Sequence, residues 1–151
     1  MIQQKFVNWE AATINALKSY EAMQHCIDQY TEQMQQANDR LYNLKSATTD
    51  KDPVQGGGSK PEENWINGID RKMLLCGKME DAEKFMAWFG PAWAKLTEGE
   101  RIVLEERWMV HRTDRGGWVE SVRNRLHIEQ AQCYRECDQA LERLTLFLYG
   151  V

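Results

Sequence analysis

The sequence predicts an all-α fold: a long, coiled-coil-like helical hairpin followed by a small helix-turn-helix module. Three observations carry this. Apolar residues recur at alternating steps of four and three from Ile2 to Leu44, the spacing of one helical face. A stretch rich in proline and glycine then separates this seam from a second helical segment. The last third falls into short amphipathic segments joined by tight junctions. No segment carries a strand signal of any weight, and no internal repeat is present.

The first seam runs from Ile2 and Phe6 through Trp9, Thr13 and Ala16 to Ala37, Leu41 and Leu44, and Thr13 is its one polar position. Glycine and proline are absent from it, so a single helix of roughly 60 Å is expected at 1.5 Å per residue. Aromatic and small seam residues, among many glutamines, differ from an ideal leucine zipper. The partner is therefore open: another helix of the same chain, or a second copy in a homodimer through these N-terminal helices.

Helix becomes untenable in "SATTDKDPVQGGGSKPEENW", where Pro53, three consecutive glycines and Pro61 place a hinge at about 47–61. Pro61 suits the first turn of a new helix, and Glu62 and Glu63 complement its dipole. Its apolar residues Ile66, Ile69, Met73, Cys76, Met79, Ala82, Met86 and Phe89 form a seam with a break of phase near Met79. This helix is expected to run antiparallel to the first and to end or kink at Gly90-Pro91. Residues 1–90 then form the hairpin and 91–151 the C-terminal module.

In that module Thr97 and Glu100 have the spacing of a capping box. The helix it opens is apolar at Ile102, Val103, Leu104 and Trp108, and "HRTDRGG" makes a loop. Trp118, Val122 and Leu126 mark a short helix, with Trp118 in the core. His127-Ile128 makes a turn, and Glu129 stands where the last helix needs a cap. Cys133, Cys137, Ala140, Leu141, Leu144 and Leu148 form the buried stripe of that helix, and Gly150 ends it.

The 151 residues suffice for one compact module with an appendage, and 42% apolar with 28% charged residues fits a folded soluble chain. No apolar run approaches the roughly 20 residues of a membrane span. "MIQQKFVNWEAATINALKSYEAM" lacks the apolar core of a secretory signal, so a cytoplasmic location is expected. Cys26, Cys76, Cys133 and Cys137 form no Cys-x-x-Cys pair and read as small buried hydrophobes. His25 and Cys26 project about 100° apart on a helix, which argues against a shared metal. "GGGSK" lacks the helix-opening Lys-Ser/Thr of a phosphate loop and reads as linker. No enzymatic activity, cofactor or metal is expected.

The net charge of −4 argues against indiscriminate coating of nucleic acid, yet the charge is unevenly spread. From His111 to Arg135, five arginines meet three acids, Asp114, Glu120 and Glu129, leaving this stretch net positive. A short helix, a tight turn and a longer helix behind a supporting helix have the layout of a helix-turn-helix, whose second helix enters the major groove.

"LTEGERIVLEERWM" followed by "WVESVRNRLHIEQAQCYRECDQALERL" resembles region four of sigma factors. With "DPVQGGG" and "NWINGIDRKMLL" upstream, the chain resembles the phage-encoded ArpU/RinA-like regulators of late transcription. The resemblance covers residues 50–150 well and the first helix by pattern alone. It implies a sequence-specific transcription regulator of phage or prophage origin. Its partners would be double-stranded DNA and, alongside it, RNA polymerase. Two residues depart from the helix-turn-helix pattern. Arg123 stands at the helix contact usually filled by Ala or Gly, and His127 at the turn position that favours Gly.

Under this resemblance the first turns of the last helix present Gln130, Gln132, Tyr134 and Arg135 to DNA, because Cys133 and Cys137 point inward. Glutamine pairs with adenine, and arginine with guanine or phosphate. Arg112, Arg115 and Arg125 are assigned to the sugar-phosphate backbone. The competing reading is an oligomeric helical scaffold or small-terminase-like DNA-packaging adaptor, assembled through the coiled-coil segment.

Overall fold

The computed structural model describes residues 7–49 and 60–151, and every regular element among them is helical. α1 spans Trp9–Thr49, α2 Lys60–Ala94 and α3 Glu98–Leu104. α3 continues into a π-helical turn, Glu105–Met109, and α4 (Gly117–Leu126) and α5 (Gln130–Tyr149) follow. No strand occurs among the described residues. The expected seam residues Ile2 and Phe6, and residues 50–59 of the hinge expected at about 47–61, lie outside them; the described ends of that hinge, 47–49 and 60–61, are helical.

Asn8 opens α1, its Oδ1 accepting from the Ala11 N–H at 3.0 Å. From Trp9 to Leu44 every seam position is buried or half-buried. The polar exception at Thr13 has a structural reason. It is fully buried with its hydroxyl 2.7 Å from that of Thr145, and the two hydroxyls also face the Trp9 and Leu141 carbonyls at 2.9 and 2.7 Å. The two hydroxyl protons can fill two of these three contacts at a time, so each hydroxyl always has a partner inside the protein.

The chain divides into two compact units, and both long helices run through both. One unit joins Met1–Met23 to Phe85–Val151; the other is Gln24–Lys84. The boundary expected at residues 90 and 91 therefore lies within α2 and inside the first unit. Pro91 does not end α2, which continues to Ala94. An interior proline costs about 3 kcal/mol or more. Ending the helix at Gly90 would displace Phe89 and Ala92, which are 0% and 4% exposed in the core.

The core of the first unit collects Leu17 from α1, Phe89 from α2, Val103 and Leu104 from α3, Val122 from α4, and Cys133, Cys137 and Leu144 from α5. Phe89 stacks between Phe85 and Trp93 at centroid distances of 5.3 and 5.7 Å, with Tyr20 at 5.5 Å. The capping box forms as expected: Thr97 Oγ1 accepts from the Glu100 N–H, and Glu100 Oε2 accepts from the Thr97 N–H at 3.0 Å. Gly150 ends α5 at φ 73°, where its missing Cβ removes the steric penalty.

In the second unit Leu41 lies over Gly68 and the Tyr30 hydroxyl sits 3.6 Å from Cys76 Sγ, so the two helical segments here run in opposite directions. This contact line corrects the start of the expected α2 seam. Ile66, Ile69 and Met73 are 56%, 40% and 68% exposed, Ile69 and Met73 lining an open groove beside Leu41 of α1, whereas Cys76, Met79, Ala82, Met86 and Phe89 are buried or half-buried. Gly68 lies on the side of α2 that α1 approaches closely, where a Cβ would collide with Leu41.

Candidate nucleic-acid interface

The surface around α4 and α5 begins with the π-helical turn, whose widened backbone sends consecutive side chains to unlike places. Glu106 turns inward and is only 8% exposed. Its carboxylate accepts from Arg112 in the following loop and from Arg125 Nη1 on α4, the latter at 2.8 Å. Arg112 also donates to Ser121 Oγ at 3.0 Å. One buried carboxylate thus ties the turn, the loop and α4 together, and two charged donors are the compensation its burial requires.

Arg107 joins the turn to α4 and α5 by another chemistry. Its guanidinium lies 4.8 Å from the ring centroids of both Trp108 and Trp118 and donates to Cys137 Sγ at 3.1 Å. Such cation–π contacts favour arginine, which stacks flat and sheds water easily. The Trp118 ring then meets Tyr134 edge-on at 5.2 Å. Burial raises the thiol pKa of Cys133 and Cys137, while Arg123 and Arg107 respectively pull them back. Both thiols stay protonated near neutrality and behave as apolar core groups. Among the described residues no three histidine, cysteine or acidic side chains gather as a metal site.

The α4–α5 junction takes three residues. His127 closes α4 in the left-handed region at φ 56°, its N–H donating to the Arg123 carbonyl at 2.8 Å. This is the position that favours glycine, and histidine occupies it with its side chain in solvent. Glu129 holds the N-cap position of α5 but makes no side-chain cap, since its longer chain does not fold back as aspartate or serine does.

Gln130, Gln132, Tyr134 and Arg135 are all exposed on the first turns of α5, opposite or beside the buried Cys133 and Cys137. At 3.6 residues per turn Arg135 points most directly away from the core. Asp138 and Glu142 follow it on that side, both exposed, so any anionic ligand of this face is confined to the first two turns. Tyr134 is in part structural, held against Trp118.

The arginines assigned to phosphate divide. Arg115 is exposed in the loop with no ion pair among the described residues. Arg112 and Arg125 are already bonded to Glu106, with side chains 25% and 46% exposed. Arg123 is exposed and makes no ion pair among the described residues. It lines a cleft with Val119, Glu120, Asn124, His127 and Gln130, where the end of α4 meets the start of α5. Charge spacing alone would not have found Glu106 as the shared acceptor, because it lies 6 and 19 residues from its partners.

These features define an all-α protein with a short helix, a three-residue turn and a longer helix at its C-terminal end. Among the described residues no helix is long and apolar enough to cross a membrane. No protein-family model, curated protein or solved structure matches the chain.

Proposed function

We propose that this chain is a sequence-specific, double-stranded-DNA-binding transcription regulator of the phage ArpU/RinA-like kind. In this reading α4, the turn at His127 and α5 act as a sigma-like helix-turn-helix. α5 reads bases in the major groove and the protein works alongside RNA polymerase on late genes. The observation that carries the reading is the first two turns of α5. Gln130, Gln132 and Arg135 stand in solvent, with donors and acceptors suited to base edges, while Cys133 and Cys137 lock the opposite side into the core. Arg115 supplies a cation for the sugar-phosphate backbone. Arg112 and Arg125 contribute only so far as they share themselves between DNA and Glu106.

The test is a gel shift with fragments tiled across the source genome, at moderate salt with excess nonspecific competitor. A discrete retained fragment, released when Gln130 and Arg135 are both changed to Ala, is the expected result. A folded, helical protein that retains no fragment would sink the reading.

One observation favours a second reading, an oligomeric helical scaffold or small-terminase-like packaging adaptor. Ile66, Ile69, Met73 and Leu74 expose apolar side chains along α2, and contiguous surface of this kind marks association sites. A ring of many subunits in light scattering selects this reading; a monomer or dimer selects the first.

A further inference from the structure

The ion pairs around α4 and α5 sort the arginines by what they are free to bind. Arg112 and Arg125 are bonded to the buried Glu106, Arg143 is bonded to Glu100, and Arg107 lies between two indole rings. Arg115, Arg123 and Arg135 make no ion pair among the described residues. Of these three, Arg123 lies in a concavity shared with α5's first residue. That cleft brings Arg123, Asn124 and His127 from the end of α4 to Gln130, with Glu120 as its single carboxylate.

We propose that Arg123 is a backbone-anchoring residue of the DNA interface, binding a phosphodiester oxygen in this cleft and thereby fixing the register of Gln130 on the base edges. The inference rests on the DNA-binding reading above and moves the anchoring role away from Arg112 and Arg125. A guanidinium already sharing a carboxylate gains little from a phosphate, because the new contact must replace an existing one. A solvated guanidinium exchanges only water and a counterion. Arg123 is also well placed mechanically. Its carbonyl accepts the His127 N–H that closes α4, so its Cα is fixed relative to the turn that launches α5. Asn124 offers a neutral amide donor beside it. Glu120, one helical turn before Arg123 in the same cleft, opposes an anion there, which gives the proposal a contact of opposite sign.

The experiment is fluorescence anisotropy of the full chain with a labelled nonspecific duplex over a range of salt concentrations. The wild type is compared with Arg123→Gln, Arg123→Lys, Arg125→Gln and Glu120→Gln, with thermal melts as the control for folding. Losing one phosphate contact flattens the slope of log affinity against log salt by about 0.9. That change is expected for Arg123→Gln, with rescue by Arg123→Lys. Arg125→Gln should lower the melting temperature while leaving the slope in place, and Glu120→Gln should tighten binding. An unchanged slope in a folded Arg123→Gln protein that still binds overturns this assignment alone. Failure of the wild type to bind any duplex overturns the assignment together with the DNA-binding reading.

Discussion

In the unit that joins the start of α1 to Phe85–Val151, apolar residues from every helical segment close over one another. In Gln24–Lys84, two antiparallel segments bury a single line and leave a second apolar stripe in solvent. The physical reason is the number of layers. Two helices can cover only one face of each other, so a helix with apolar residues on two faces needs a third element. The first unit has that third element in α3 to α5, and buries Phe89 completely and Trp118 almost completely. The second unit presents its surplus, Ile66, Ile69, Met73 and Leu74, to solvent.

The strongest way to break the closed unit is to hollow its centre. Phe89→Ala should cost about 3–5 kcal/mol in urea or thermal unfolding, because the ring is fully buried among three other aromatic residues. A loss below about 1 kcal/mol would mean that the aromatic cluster is not the keystone of that core.

Glu106→Ala tests whether the surface above that core is held by the buried carboxylate. The two arginines are partly exposed and can return to water, so the expected loss is about 1–2 kcal/mol rather than the larger cost of a fully buried pair. Amide exchange in the loop after the π-helical turn should accelerate in parallel. Unchanged exchange would remove Glu106 from its role as the tie between loop and α4.

Two glycines sharpen the account of the second unit. At Gly77 an added Cβ meets nothing, so Gly77→Ala should stabilise α2 by about 0.5–1 kcal/mol through helix propensity alone. At Gly68 the same change meets Leu41 and should forfeit that gain. Equal stabilisation at both sites would show that α1 does not approach α2 along the glycine side. The smallest effect is expected at Met73→Lys, within about 0.5 kcal/mol, since the side chain is already in solvent. A large loss of stability there, dependent on protein concentration, would show that the stripe is covered by another copy.

Several elements were legible in the sequence because local chemistry dictates them. The heptad seam from Trp9 to Leu44, the Thr97–Glu100 capping box, the cysteine stripe of α5 and its glycine stop all depend on residues within one or two turns of each other. The exposure of Gln130, Gln132, Tyr134 and Arg135 followed from the same periodicity, since fixing Cys133 and Cys137 inside determines what points out.

Long-range competition was not legible. Pro91 stays helical because Phe89 and Ala92 are buried in a core drawn mostly from other parts of the chain. Ile66, Ile69 and Met73 stay exposed at the start of the α2 seam, where α1 approaches Gly68 through Leu41, 27 positions away. Arg112 and Arg125 read as free phosphate ligands until Glu106 is turned inward beside them by the π-helical turn. The sequence by itself determined where helices start, stop and present an apolar face, since those depend on backbone propensity and spacing. Only the tertiary structure decided which of two apolar faces is covered and which charges are already neutralised. Burial and ion pairing depend on distances through space between residues far apart along the chain.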